Sequence, residues 1–180
     1  MVTRREIALP QMELHDCYLD EQHIRVALPA EAGRRSCPTM AEKLIARHAE
    51  VNRGQRVLVM PGGYGVLAVW AAGKTAQQLV RSFDTSLVAA EAARRTLAAN
   101  RCGAVSALAA LPEGDGVFDV ALLTLPKGRD LARLMILAAA QALLPGGRLY
   151  LAGANDEGIQ SVARDAAALL GQAEVLAYKG

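Results

Sequence analysis

The chain has 180 residues, a net charge of +2, 52% apolar residues and 4% aromatic ones. That length suits one domain with a sizeable core, burying roughly 70% of the surface an unfolded chain exposes. So small a charge excludes an argument for nucleic-acid binding from electrostatics alone, and no apolar run reaches the about 18 residues of a membrane span.

From the N-terminus, Met1 to Glu6 lacks the apolar stretch of a secretory signal, so a cytoplasmic location is expected. Glu13 to Cys17 and His23 to Leu28 read as strands around Asp20-Glu21-Gln22, a hairpin. Pro29 to Pro38 reads as a loop holding Gly33, Arg34 and Arg35. Residues 1–38 are thus expected to be an N-terminal extension, and 39–180 an α/β unit, in one compact domain. Thr39 with Glu42 three residues on makes a capping box, and its helix runs to about Val51 before Asn52-Arg53-Gly54. Arg56 to Met60 is a strand, Val66 to Gly73 a helix, and Leu79 to Phe83 a strand. Leu87 to Asn100 is a strong helix with Asp84 or Ser86 as its cap. A weak strand falls near Ala104 to Ala107, and Phe118 to Thr124 is a buried one. Asp130 to Leu143 is a helix, Pro145-Gly146-Gly147 a turn, and Arg148 to Ala152 a strand. Gly158 to Leu170 is a helix and Glu174 to Tyr178 the last strand. Strands alternating with helices over this length predict a mostly parallel sheet covered on both faces.

Cys17, Cys37 and Cys102 are odd in number and lack Cys-x-x-Cys spacing. His15, His23 and His48 have no partner at metal-ligand spacing, so neither a disulfide framework nor a metal site is expected. The pairs Arg4-Arg5, Arg34-Arg35 and Arg94-Arg95 read first as solvated surface charge.

The most telling stretch is Val57-Leu58-Val59-Met60-Pro61-Gly62-Gly63-Tyr64-Gly65. A buried strand breaks into a glycine turn that opens a helix, the arrangement that lets a backbone approach a nucleotide-sized ligand. Asp84 follows about twenty residues on, where a ribose-binding acid is expected. Gly63 to Ala68 also fits the G-x-G-x-x-A fingerprint, a weak signal for a nicotinamide-dependent oxidoreductase when it stands alone.

Order and spacing across residues 39–178 carry more. The Tyr64-Gly65 turn, Asp84-Thr85-Ser86, Ala93-Arg94-Arg95 with Ala98-Ala99-Asn100, Phe118-Asp119-Val120 and Leu144-Pro145-Gly146-Gly147 together resemble the class I S-adenosylmethionine-dependent methyltransferases. Within that class the chain is most similar to the ribosomal RNA guanine methyltransferases of the methyltransferase small domain family. Leu125-Pro126-Lys127-Gly128-Arg129-Asp130, Gly153-Ala154-Asn155 with Gly158-Ile159-Gln160-Ser161, and Glu174 to Gly180 resemble that family's non-catalytic N-terminal half. The resemblance implies a Rossmann-like methyltransferase fold: a doubly wound sheet, with the hairpin added at its N-terminus. It implies S-adenosylmethionine as cofactor, held by Pro61, Gly63, Tyr64, Gly65, Asp84 and Thr85, and RNA as partner. The glycines would pass beneath the methionine part and Asp84 would take the ribose hydroxyls, although Asp84 serves a helix cap equally well. The acceptor site would lie at Thr124, Pro126 and Lys127.

Three departures keep a catalytically degenerate module, binding RNA or a partner, open beside the enzyme. Val59 and Pro61 stand where such sites carry an acid and a glycine, and Pro61 has a fixed φ and no N–H. Thr124-Leu125-Pro126-Lys127 replaces Asn or Asp, two prolines and an aromatic ring, so stacking on a base would have to come from elsewhere. A Lys127 ammonium about 6 Å from a sulfonium is repelled by roughly 3 kcal/mol at an effective dielectric near 20. The family's sheet also carries a further antiparallel strand. Its edge would be filled here by the hairpin or by a second subunit in a homodimer, or the chain is a shortened one.

Overall fold

The computed structural model describes residues 8–32, 37–154 and 158–177. Of the residues singled out above, Arg4, Arg5, Gly33, Arg34, Arg35, Asn155 and 178–180 lie outside these. Strands β1 (Met12–Leu19) and β2 (Gln22–Pro29) form an antiparallel hairpin turning at Asp20, which takes a φ of 54°. Helix α1 (Met40–His48) begins with the expected box: Thr39 Oγ1 accepts the Glu42 N–H at 3.2 Å, and the Glu42 carboxylate accepts the Thr39 N–H at 2.7 Å. There follow β3 (Val57–Met60), α2 (Val66–Lys74), β4 (Val80–Asp84), α3 (Leu87–Ala99) and β5 (Ser106–Ala109). The chain continues through β6 (Phe118–Thr124), α4 (Arg129–Ala142), β7 (Leu143–Ala152) and α5 (Ile159–Leu170).

Five strands form one parallel sheet in the order β5-β4-β3-β6-β7. Every residue of β3 is buried because both faces are covered, which is why Val-Leu-Val-Met shows no polar alternation. Val57 and Val59 point into the core shared with α1, α2 and α3, while Leu58 and Met60 point into the one built with α4 and α5. The fold is therefore the expected doubly wound α/β architecture with an N-terminal hairpin.

Two expectations about the sheet's edge are corrected. The hairpin does not extend the sheet beside β7; it forms its own two-stranded layer over α3. Buried Leu19, Ile24 and Val26 draw it onto the core of that face, and side chains of α3 and of its C-terminal cap satisfy the edge of β2. The Ala27 N–H donates to Thr96 Oγ1 at 2.9 Å, and Asn100 pairs with both the N–H and the carbonyl of Arg25 at 3.0 and 2.7 Å. One amide side chain thus does what a neighbouring strand would do for that residue.

The last strand also fails to form in residues 174–177, which are exposed and irregular, with Val175 and Leu176 facing solvent. Strand propensity there is realised only by pairing and burial, and residues 172–177 have neither. Pro145-Gly146-Gly147, expected as a turn before a strand, lies within β7 as an irregularity: Leu143 pairs with Phe118, and Arg148 pairs with Val120. Gly146 makes that excursion with a φ of 80°.

Candidate active site

The C-terminal ends of β3 and β4 meet at the glycine turn, the position where open α/β sheets bind ligands. Two hydrogen bonds tie the turn to β4, and a third closes the turn on itself. The Gly62 N–H donates to the Phe83 carbonyl at 2.6 Å, the Gly65 N–H donates back to the Gly62 carbonyl at 3.0 Å, and the Gly63 N–H donates to Asp84 Oδ2 at 2.9 Å. Asp84 Oδ1 accepts the Ser86 N–H at 2.8 Å. The carboxylate therefore bridges the turn and the start of α3, and the residue is only 7% exposed. Capping falls to Ser86, whose Oγ accepts the Ala89 N–H at 3.3 Å, so Ser86 rather than Asp84 is the helix cap.

The three glycines differ in purpose. A Cβ on Gly62 would strike Ser82 Oγ, and one on Gly65 would sit 3.0 Å from the Cα of Ala93 on α3. Both are close-packing glycines. Gly63, with φ 52°, has nothing within 4 Å of where its Cβ would stand, so its outer face is open to a ligand. Tyr64 is half-buried against the core of the α1–α3 face, and Thr85 is exposed beside the carboxylate. Pro61 is half-buried between the end of β3 and the turn. Val59 is fully buried in the core rather than facing the turn, so its position offers no charge to a ligand.

Thr124 closes β6 half-buried, and the Leu125 N–H donates to the Ala152 carbonyl of β7 at 2.8 Å. Leu125 fills the space that a side chain on Gly153 would need. Pro126 is half-buried, and Lys127 is exposed just before Gly128 opens α4 with a φ of 97°. Pro126 lines a cavity of about 210 Å³ with Gly128, Arg129, Ala132, Gly158, Ser161 and Val162. Arg129 reaches across it to donate to Ser161 Oγ at 3.0 Å, linking the first turns of α4 and α5. Sequence reading missed this link, although glycines immediately before two helices, Gly128 and Gly158, were its visible signal. It also missed Ser82, whose buried hydroxyl beneath the turn has no hydrogen-bond partner among the described residues. A second cavity, of about 320 Å³, lies at the opposite ends of the strands, lined by Arg56, Arg81 and Phe118 among others.

A second link between α4 and α5 is the Arg133–Asp165 pair, at 2.7 Å. Its hydrogen bond from the guanidinium holds the Asp165 carboxyl below the usual carboxylate range. A depressed folded value means that the stabilisation is present above the unfolded value of about 3.9 and is lost as pH falls through the folded one. Asp165→Asn should therefore be less stable than the native chain near neutral pH and equal to it in strong acid, with the gap shrinking in salt; urea titrations at both pH values check this.

Among the described residues no group of His, Cys, Asp and Glu side chains is placed to hold a metal, and no helix is long and apolar enough to cross a membrane.

The family model described as methyltransferase small domain N-terminal matches residues 43–177. Among solved structures, a T. thermophilus 16S rRNA N2 methyltransferase in complex with AdoMet and guanosine is 28% identical, with a TM-score of 0.69 over 93% of this chain and 42% of that one. A SAM-dependent methyltransferase from Thiobacillus denitrificans, in complex with S-adenosyl-L-homocysteine, is 26% identical with a TM-score of 0.51, covering 67% of this chain and 51% of the other. The Pyrococcus abyssi tRNA (uracil-54, C5)-methyltransferase, at 18% identity and a TM-score of 0.59 over 85% of this chain and 38% of its own, shares the fold. This chain thus spans about half or less of the length of each of these proteins. No curated protein matches.

Proposed function

Because the chain belongs to the methyltransferase small domain N-terminal family, we propose that it is an S-adenosylmethionine-dependent methyltransferase unit acting on RNA in the cytoplasm, with a guanine exocyclic amine as acceptor. The observation that carries this reading is the Gly63–Asp84 hydrogen bond, which sets a glycine with an open outer face beside a carboxylate at the ends of neighbouring strands. The relative crystallised with AdoMet and guanosine supports the choice of cofactor and acceptor.

The residues present fit that cofactor. Gly63 offers the uncrowded backbone on which its methionine part can lie, between Pro61 and Gly65. Each Asp84 oxygen accepts one N–H and keeps a lone pair for a ribose hydroxyl, with Thr85 beside it. When bound, S-adenosylmethionine supplies a methyl group on a sulfonium. The protein's part is then placement: Thr124 can hold the acceptor amine through its hydroxyl, and Pro126 shapes the wall beside it. Tyr64, turned to the core, would contribute its backbone alone.

A second reading is favoured by a specific observation. Both Asp84 oxygens are already used by backbone, and Val59 and Lys127 replace groups that chemistry of this kind uses. On that reading the chain is a degenerate half that binds RNA or a partner through Lys127 and Arg129. A thermal-shift titration separates the two. Saturation at about 100 times Kd adds roughly 2.7 kcal/mol, hence about 5–10 °C in Tm for a domain of this size. No shift at millimolar S-adenosylmethionine leaves the binding module, and a shift with NAD alone would favour the oxidoreductase. Among the described residues β7 pairs with β6 alone, so on either reading a second copy of the chain could add to its outer edge, which sedimentation would detect as a dimer.

A further inference from the structure

We propose that Cys17 and Cys37 are an oxidation site, two thiols set to close a reversible intrachain disulfide that fastens the N-terminal hairpin to the entry of α1. Cys17 lies on β1, 7% exposed, facing the core beneath the hairpin; Cys37 is half-buried on the same core, two residues before the Thr39 cap. Their sulfurs are 3.7 Å apart, in van der Waals contact, although twenty positions separate them in the chain. A disulfide needs about 2.05 Å, a closure of roughly 1.7 Å that small side-chain torsions can supply. Cysteine spacing alone could not reveal the contact, which arises because β1 and the entry of α1 meet on one core.

The pair is also differentiated. Cys37 donates its S–H to the Cys17 sulfur, which draws the Cys17 thiol below its usual value and pushes that of Cys37 far up. Asp16 and Glu42 act on Cys17 in the opposite sense, as does its burial, and the hydrogen bond outweighs them. Cys17 is therefore the nucleophile and Cys37 the resolving thiol. With hydrogen peroxide as oxidant, the Cys17 thiolate attacks one oxygen, the O–O bond breaks, and hydroxide leaves a sulfenic acid on Cys17. The Cys37 sulfur then displaces that oxygen, forming the S–S bond and giving up its proton as water departs. Two thiols and one peroxide yield one disulfide and two waters. Cys102 is a buried free thiol whose S–H donates to the Asn100 carbonyl at 3.5 Å; burial pushes its thiol up, so it serves as an internal control.

The experiment treats the full chain with hydrogen peroxide, then denatures and alkylates it. The expected result is one alkylated cysteine, Cys102, where the untreated chain shows three. A peptide linking residues 17 and 37 should appear, and dithiothreitol should restore all three thiols. Closing a loop of this length should raise Tm by roughly 6–12 °C, a rise absent from Cys17→Ser. Cys37→Ser should instead trap a sulfenic acid at Cys17, seen as a dimedone adduct. Three alkylatable thiols after treatment, lost thiols recovered only as sulfinic or sulfonic acids, or a bridge through Cys102 would each overturn the assignment.

Discussion

Gly65→Ala should destabilise the fold by about 2–5 kcal/mol and lower Tm by roughly 5–15 °C, while Gly54→Ala should cost only about 1–2 kcal/mol. Both glycines hold nearly the same left-handed backbone, with φ of 86° and 85°. The conformational cost of a Cβ is thus common to both. What differs is space. A Cβ at residue 54 meets nothing within 4 Å, whereas one at 65 lies 3.0 Å from the Ala93 Cα and 3.2 Å from its carbonyl oxygen. Backbone atoms inside a helix cannot step aside as a side-chain tip can, so α2 and α3 would have to separate. Those helices carry the turn and the loop after Asp84, so the same variant should also blunt any shift given by S-adenosylmethionine. Equal losses at the two positions, measured by urea and thermal unfolding, would refute the close-packing argument and leave only backbone strain.

How far the sequence foretold this depends on whether the deciding interaction is local. The Thr39–Glu42 box, the fully apolar β3 and the helix over Leu87–Ala99 were legible because neighbours within a few residues determine them. The hairpin was legible as a hairpin, but not its place. That depends on Thr96 and Asn100, some 70 positions on, offering side-chain oxygens and an amide to the edge of β2. Glu174 to Tyr178 carried strand-like composition, yet residues 174–177 gain no ladder, because pairing is a property of the partner as much as of the segment. At the site, Asp84 was identifiable by its offset from the turn. That both its oxygens are engaged by backbone was not, since those bonds require the Gly63 and Ser86 amides to converge from two different loops.

That convergence makes Asp84 the position where the two functional readings diverge. Asp84→Ala should cost about 2–4 kcal/mol, because the part-buried Gly63 and Ser86 N–H groups lose a charged acceptor, each such bond contributing about 1.5–3 kcal/mol before water partly replaces it. Asp84→Asn keeps the shape and one acceptor oxygen, so one N–H faces an amide nitrogen and the cost falls to about 1–3 kcal/mol. Neither loss separates an enzyme from a scaffold, since both readings need the turn held. Ligand response does. If the carboxylate takes ribose hydroxyls, Asp84→Asn should weaken S-adenosylmethionine binding at least tenfold, removing about 1.4 kcal/mol or more of ligand stabilisation at fixed concentration. A variant that loses stability yet keeps the full ligand-induced shift would place the carboxylate wholly in the service of the turn. Its two backbone bonds would then be its entire role, and the cofactor, if held, would be held by the open face of Gly63.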